Sequence, residues 1–219
     1  MDDKKLKEAI SELRKPVDEK KKKNFKQTVD VIINLRGLDL KKPEHQIELF
    51  LQLPHFKGKK SKICALVGPE MAESSKVMDM VVLQPDFDKY QADKKLTKKL
   101  ASGMDFFVAQ ATIMPKVASA FGRVLGPKGK MPNPKAGCIV PPNANMQTVK
   151  DKLQNTIKLS GKKAPLMQAM VGNEETSDAH LNENIKYVLS NLEHALPQGD
   201  NNIKSAFIKY TMGKPIKVM

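Results

Sequence analysis

The hydrophobic pattern of this chain changes period twice, and that change restricts its fold more than any other feature. Residues 27–35 place Val29, Val31, Ile33 and Leu35 on alternate positions, the signature of a strand with one buried face. Residues 46–53 again carry apolar residues on the odd positions, and Pro54 closes the run. The pattern then becomes continuous: Ile63-Cys64-Ala65-Leu66-Val67 has no polar face and predicts a strand covered on both sides. Met80-Val81-Val82-Leu83 and residues 104–110 repeat this style. Between them the spacing predicts a helix over about 70–78 and a Lys-rich helix through Leu96 and Leu100, stopped at Ser102-Gly103. A further helix follows, with Pro115 in its first turn and Val117, Ala120, Phe121 and Val124 on one face. Strands alternating with helices in this way predict βαβ units and a parallel sheet.

The alternating style returns near residue 154. Short strands are predicted over 156–159, 166–171 and 204–211. Residues 178–196 carry Leu181, Ile185, Val188, Leu189, Leu192 and Leu196 on one stripe, with Ser177 as N-cap and Pro197 past the end. A first helix is predicted over 4–14, through Leu6, Ile10 and Leu13, ending near Pro16. The expected fold class is α/β with two domains. Residues 1–61 plus 154–219 form a split α+β, ferredoxin-like domain, and 62–153 form an inserted Rossmann-like three-layer domain. Two connections at one junction predict a hinge.

Charge narrows the function. The chain has 38 Lys plus Arg against 24 Asp plus Glu, a net charge of +14 in 219 residues. The excess is spread: +6 in 1–61, +6 in 62–153 and +2 in 154–219. Such a balance favours polyanionic partners, chiefly nucleic acid. The dense run Lys20-Lys21-Lys22-Lys23 is either a solvated linker or an escort for a binding surface. Trp is absent and aromatics are 5%, so an RNA partner would be held through shape, phosphate and sugar rather than stacking. No long uncharged apolar window suggests a membrane span, and the N-terminus predicts no secretory signal. Cys64 and Cys138 lack ligand spacing and read as reduced, buried or half-buried thiols. The scattered His45, His55, His180 and His194 predict neither a metal site nor a catalytic one. No cofactor is expected.

One loop stands out. Residues 122–137 read Gly122-Arg123-Val124-Leu125-Gly126-Pro127-Lys128-Gly129-Lys130-Met131-Pro132-Asn133-Pro134-Lys135-Ala136-Gly137. Its density of Gly, Pro and Lys predicts a stiff basic loop. It is not a P-loop: Val124 stands where the first Gly belongs, and Met131 replaces the hydroxyl that would hold magnesium. A dinucleotide-binding glycine motif is absent after the first buried strand, where Gly68 stands alone. No Asp or Glu occurs in 106–150 to act as ligand or base. The chain is therefore not expected to be an enzyme.

This loop resembles the signature of the ribosomal L-one family, the universal stalk protein of the large subunit. Phe25-Lys26-Gln27-Thr28-Val29-Asp30 resembles the family's first strand, and Asp105-Phe106-Phe107-Val108-Ala109-Gln110-Ala111 the end of its middle-domain sheet. Thr211-Met212-Gly213 resembles its terminal motif. The segments 41–44 and 141–145 look archaeal rather than bacterial. The resemblance implies a cytoplasmic ribosomal protein that binds large-subunit rRNA, forms the mobile stalk at the exit site and contacts departing tRNA. It also implies repression of its own mRNA. By resemblance, the RNA-binding residues are Phe25, Thr28, Ser205, Thr211, Met212 and Gly213, and Lys26, Lys209 and Lys214 are expected to join them in the same RNA-binding set. Arg123, Lys128 and Lys130 would make a secondary RNA contact. Each has a structural alternative: Phe25 as a core plug, Thr28 and Ser205 as ordinary strand residues, Met212 as packing, and the loop lysines as part of a closing loop. One departure is Lys214, which intervenes before Pro215 where the family commonly has Pro directly after Met-Gly. The rival class is a stand-alone basic nucleic-acid-binding regulator, unsupported by any helix-turn-helix or zinc-finger spacing.

Overall fold

In a computed structural model, residues 3–15, 24–42, 45–162 and 164–219 are described. Pro16, the Lys20–Lys23 run and positions 43–44 lie outside them. The chain divides into two compact units, Met1–Lys59 with Asn155–Met219, and Lys60–Gln154.

The first unit contains α1 (Asp3–Leu13), β1 (Thr28–Leu35) and β2 (Glu48–Gln52) from the front of the chain. Its remaining elements are β7 (Thr156–Ser160), β8 (Leu166–Asn173), α7 (Asp178–Ala195), β9 (Ile203–Tyr210) and β10 (Ile216–Lys217). Among the described residues the sheet runs β10-β9-β1-β8, and β2 pairs with β7 separately. Both β8 and β9 run antiparallel to β1, so β8, α7 and β9 form a split βαβ around the central strand. Alternation in β1 is complete: Val29, Val31, Ile33 and Leu35 are buried, and the residues between them are half-exposed. Facing them, Leu6 and Ile10 of α1 and Leu181, Ile185, Val188 and Leu192 of α7 complete one core. Ser177 caps α7 by accepting from His180 N. Asn184, fully buried in the α7 stripe, donates to Val171 O at 2.8 Å and to His55 O at 3.3 Å and accepts from His55 N at 3.1 Å. Burial without such partners would be costly.

The second unit is a parallel sheet in the order β4-β3-β5-β6: β4 (Met80–Leu83), β3 (Ile63–Val67), β5 (Phe106–Gln110), β6 (Ile139–Val140). All of β3 is buried. Its Cys64 and Leu66 join a core with Phe87 of α3 (Phe87–Ala92), Leu100 of α4 (Lys94–Gly103) and Phe121 of α5 (Met114–Leu125). Ile63, Ala65 and Val67 face the other way, toward Met71, Met78 and, from α6 (Met146–Asn155), Met146 and Leu153. Two apolar layers around one sheet make the three-layer arrangement. The mixed α/β class expected from the sequence is present. The helix predicted over 70–78 is shorter than expected, a 3-10 turn at Pro69–Met71 and α2 (Ala72–Ser75). Both thiols are buried, and burial pushes Cys64 up to about 12 and Cys138 to about 11.

Candidate RNA interface

Period-two geometry determines which predicted residues share a face. With Val29, Val31 and Ile33 turned to the core, Thr28, Asp30, Ile32 and Asn34 take the opposite, open face of β1. On β9, Lys209 pairs with Asp30, Phe207 with Ile32 and Ser205 with Asn34. Thr28, Ser205, Lys209 and Thr211 therefore belong to one open face. They do not form one cluster. Ser205 lies six residues from Thr211, ~20 Å along an extended strand, where its hydroxyl accepts from Asn34 Nδ2 at 2.9 Å.

The other end of β1 is a tightly bonded knot. Thr211 N donates to Thr28 O at 3.0 Å, extending the ladder one step past β9. Thr28 N donates to Thr211 Oγ1 at 3.2 Å, and the two hydroxyl oxygens are 2.9 Å apart. Burial raises the pKa of the Asp30 carboxylate on the same face, and the nearby Lys209 charge and Thr28 hydroxyl pull it back only in part. Gln27 Oε1 accepts from Met212 N at 3.1 Å, and Gln27 Nε2 donates to Glu174 Oε1 at 3.0 Å. Gly213 N closes the turn onto Tyr210 O at 2.9 Å. A Cβ on Gly213 would stand 3.1 Å from the Tyr210 Cβ, so glycine suits this close approach. The chain then returns as β10 along β9, with Lys214 exposed in the connection.

Around this rigid turn sit two large apolar side chains that find no core: Phe25 is 51% exposed and Met212 62%. The core-plug alternative for Phe25 and the packing alternative for Met212 are thereby removed. Lys26, also exposed, pairs with Glu175 at 2.7 Å. Gln27 and Glu174 were not anticipated from the sequence. Gln27 stands inside the motif that carried the family likeness, but its partners lie 185 and 147 positions away.

The glycine-rich loop is organised differently. Lys130 Nζ donates to Ala101 O at 3.0 Å and Met104 O at 2.6 Å, and burial lowers its pKa. Lys128 Nζ donates to Ser102 Oγ at 2.6 Å. Lys130 thus satisfies carbonyls at the C-terminal end of α4, which lack intrahelical partners, and both ammoniums stand where the dipole favours cations. Arg123 is exposed on α5. Gly129 and Gly137 both take positive φ, +64° and +68°, and a 3-10 turn occupies Pro134–Ala136, where unbroken loop was expected.

Known proteins match this sequence. Residues 17–214 match the Ribosomal protein L1p/L10e family. The chain belongs to this family. It is 37% identical over its whole length to the large ribosomal subunit protein uL1 of Methanothermococcus thermolithotrophicus, covering 99% of that protein. Against uL1 of Methanobrevibacter smithii the identity is 38% over 97% of this chain and 99% of the relative. Against uL1 of Nanoarchaeum equitans it is 40%, over 94% and 97%. These relatives are archaeal, as the sequence resemblance implied. The L1p/L10e family consists of structural ribosomal proteins rather than enzymes. Among the described residues no helix is long and apolar enough to cross a membrane.

Proposed function

We propose that this chain is a structural protein of the large ribosomal subunit in the cytoplasm. It grips large-subunit rRNA with the Thr28–Thr211 end of its first unit. The observation that carries this reading is the hydroxyl pair. The two hydroxyl oxygens lie 2.9 Å apart at the exposed end of the strand pair, and each can accept a further hydrogen bond. An acceptor pair fits ribose 2′-hydroxyl donors, the group that separates RNA from DNA. Phe25 and Met212 supply apolar contact beside it, and Lys26, Lys209 and Lys214 supply positive charge. Ser205 would touch the RNA further along the same face. Exit-site tRNA and the protein's own mRNA are partners by the same logic, the mRNA through a structure that imitates the rRNA site.

Co-sedimentation of the tagged protein with large subunits tests the reading, and recovery only in the free fraction contradicts it. Titration of a ribosomal stem–loop at several salt concentrations should show affinity falling as salt rises. The first unit carries the primary contact in this reading, so a chain joining 1–59 to 155–219 by a short Gly-Ser linker should keep most of that affinity. Loss by orders of magnitude in a folded chain would assign the grip to the second unit instead.

A further inference from the structure

Helix α4 breaks the rules that normally stabilise an exposed helix. It carries Lys94, Lys95, Lys98 and Lys99 and no acid. Lys94 with Lys98 and Lys95 with Lys99 are like-charge pairs at i,i+4 spacing, which oppose folding. Two of the four stand in the first turn, where the dipole disfavours cations. All four are exposed. Among the described residues, none of the four has a carboxylate at ion-pair distance. Three other lysines of the same unit do have carboxylate partners: Lys76 with Glu73, Lys89 with Asp86 and Lys150 with Asp79. The acids flanking α4 are occupied with backbone, Asp93 accepting from Lys95 N and Leu96 N and Asp105 from Lys62 N.

The helix is also held firmly. Thr97 Oγ1 donates to Tyr90 O at 2.5 Å, Leu100 and Ala101 are buried, and the Lys130 bonds described above fix the C-terminal end. Lys128, bonded to Ser102 one turn beyond Lys98, extends the basic row. A row of unbalanced ammoniums on a rigid element is a surface prepared for a polyanion.

We propose that α4 is a second RNA-docking surface, separate from the Thr28–Thr211 end, which holds phosphates of the RNA backbone without reading sequence. Lysine is a point-charge phosphate binder, and phosphate contacts carry no sequence information. A protein partner fits less well, since interface cores are depleted in Lys and enriched in aromatics, and the exposed large apolar residue of α4 is Leu96 alone.

The test uses the full chain and a short duplex RNA unrelated to ribosomal sequence, titrated by fluorescence anisotropy across salt. Replacing Lys94→Gln, Lys95→Gln, Lys98→Gln and Lys99→Gln together should lower the slope of log K against log salt by about 2–3 units. The four Lys→Arg replacements should leave the slope as in the parent chain. Melting temperature should hold or rise in the Gln variant, because repulsion is relieved; a fall contradicts the claim that these charges burden the helix. An unchanged slope overturns the proposal. So does polyglutamate binding as tightly as RNA with the same loss on substitution, which would assign the surface to an acidic protein. Thr211→Val on a ribosomal stem–loop runs in parallel. Its loss of affinity beside an unchanged Gln variant would retain the first-unit grip and discard the α4 surface.

Discussion

The Thr28–Thr211 turn and the loop at 126–137 look alike in sequence and spend their polar groups in opposite ways. Both follow a regular element, both contain Gly, Lys and Met, and both belong to stretches that carry the resemblance to the family. In the turn, backbone groups are tied inward by Gln27, Thr28 and Tyr210, and this leaves Phe25 and Met212 exposed beside the Thr28–Thr211 hydroxyl pair. In the loop, Lys130 is turned inward onto Ala101 O and Met104 O, and the exposed Lys128 bonds to Ser102 at the end of α4. A basic residue in such a motif can therefore serve the fold, while in the proposed reading the turn serves the ligand chiefly through uncharged groups. Counting charges along the chain does not separate the two cases; following each donor to its acceptor does.

The strongest way to break this contrast is Lys130→Met. It removes both bonds to Ala101 O and Met104 O, and unfolding of the second unit should become easier by about 1–3 kcal/mol. Stem–loop affinity should stay close to the parent value. A chain that keeps its melting temperature yet loses affinity would place Lys130 on the RNA instead.

A smaller effect sharpens the other side. Gln27→Ala frees Met212 N and Glu174 without touching the hydroxyl pair. Affinity for the stem–loop should fall several-fold, about 1 kcal/mol, through a loosened turn. A circular dichroism spectrum like that of the parent would show the sheet retained. Unchanged affinity would mean that the turn needs no pin.

The smallest expected effect concerns the thiols. With Cys64 raised to about 12 and Cys138 to about 11, both stay protonated and buried at pH 8. The native protein should be unreactive toward a thiol reagent until it is denatured. Rapid labelling of either would contradict the packed second-unit core.

Much of this was readable from period alone. Strict alternation in 28–35 puts Val29, Val31, Ile33 and Leu35 on one face, and so Thr28 on the other, before any coordinate is known; 203–210 is less regular, and the pairing with β1 is what brings Ser205 and Lys209 to the same face. The continuous run at 63–67 announces a strand buried on both sides. What period could not supply is equally specific. β6 and β10 are two residues each, too short to carry a pattern. α6 buries only Met146 and Leu153 fully, one position per two turns, after the loop at Pro141-Pro142. Distances along β9 separate Ser205 from Thr211, although the motif likeness groups them. The inward turn of Lys130 depends on carbonyls 26 and 29 positions away, and a long side chain gives no local sign of such a partner.

The most direct test of the contrast is a pair of dissociation constants on one ribosomal stem–loop, for Thr211→Val and for Lys128→Ala. Valine keeps the shape and β-branching of Thr211 while deleting the oxygen, so binding should weaken by about 1–3 kcal/mol. Lys128→Ala should cost less than about 1 kcal/mol and move the salt slope by about one unit at most. If Lys128→Ala is clearly the weaker binder and Thr211→Val matches the parent chain, the RNA is held by the loop, and the assignment of the Thr28–Thr211 end is wrong.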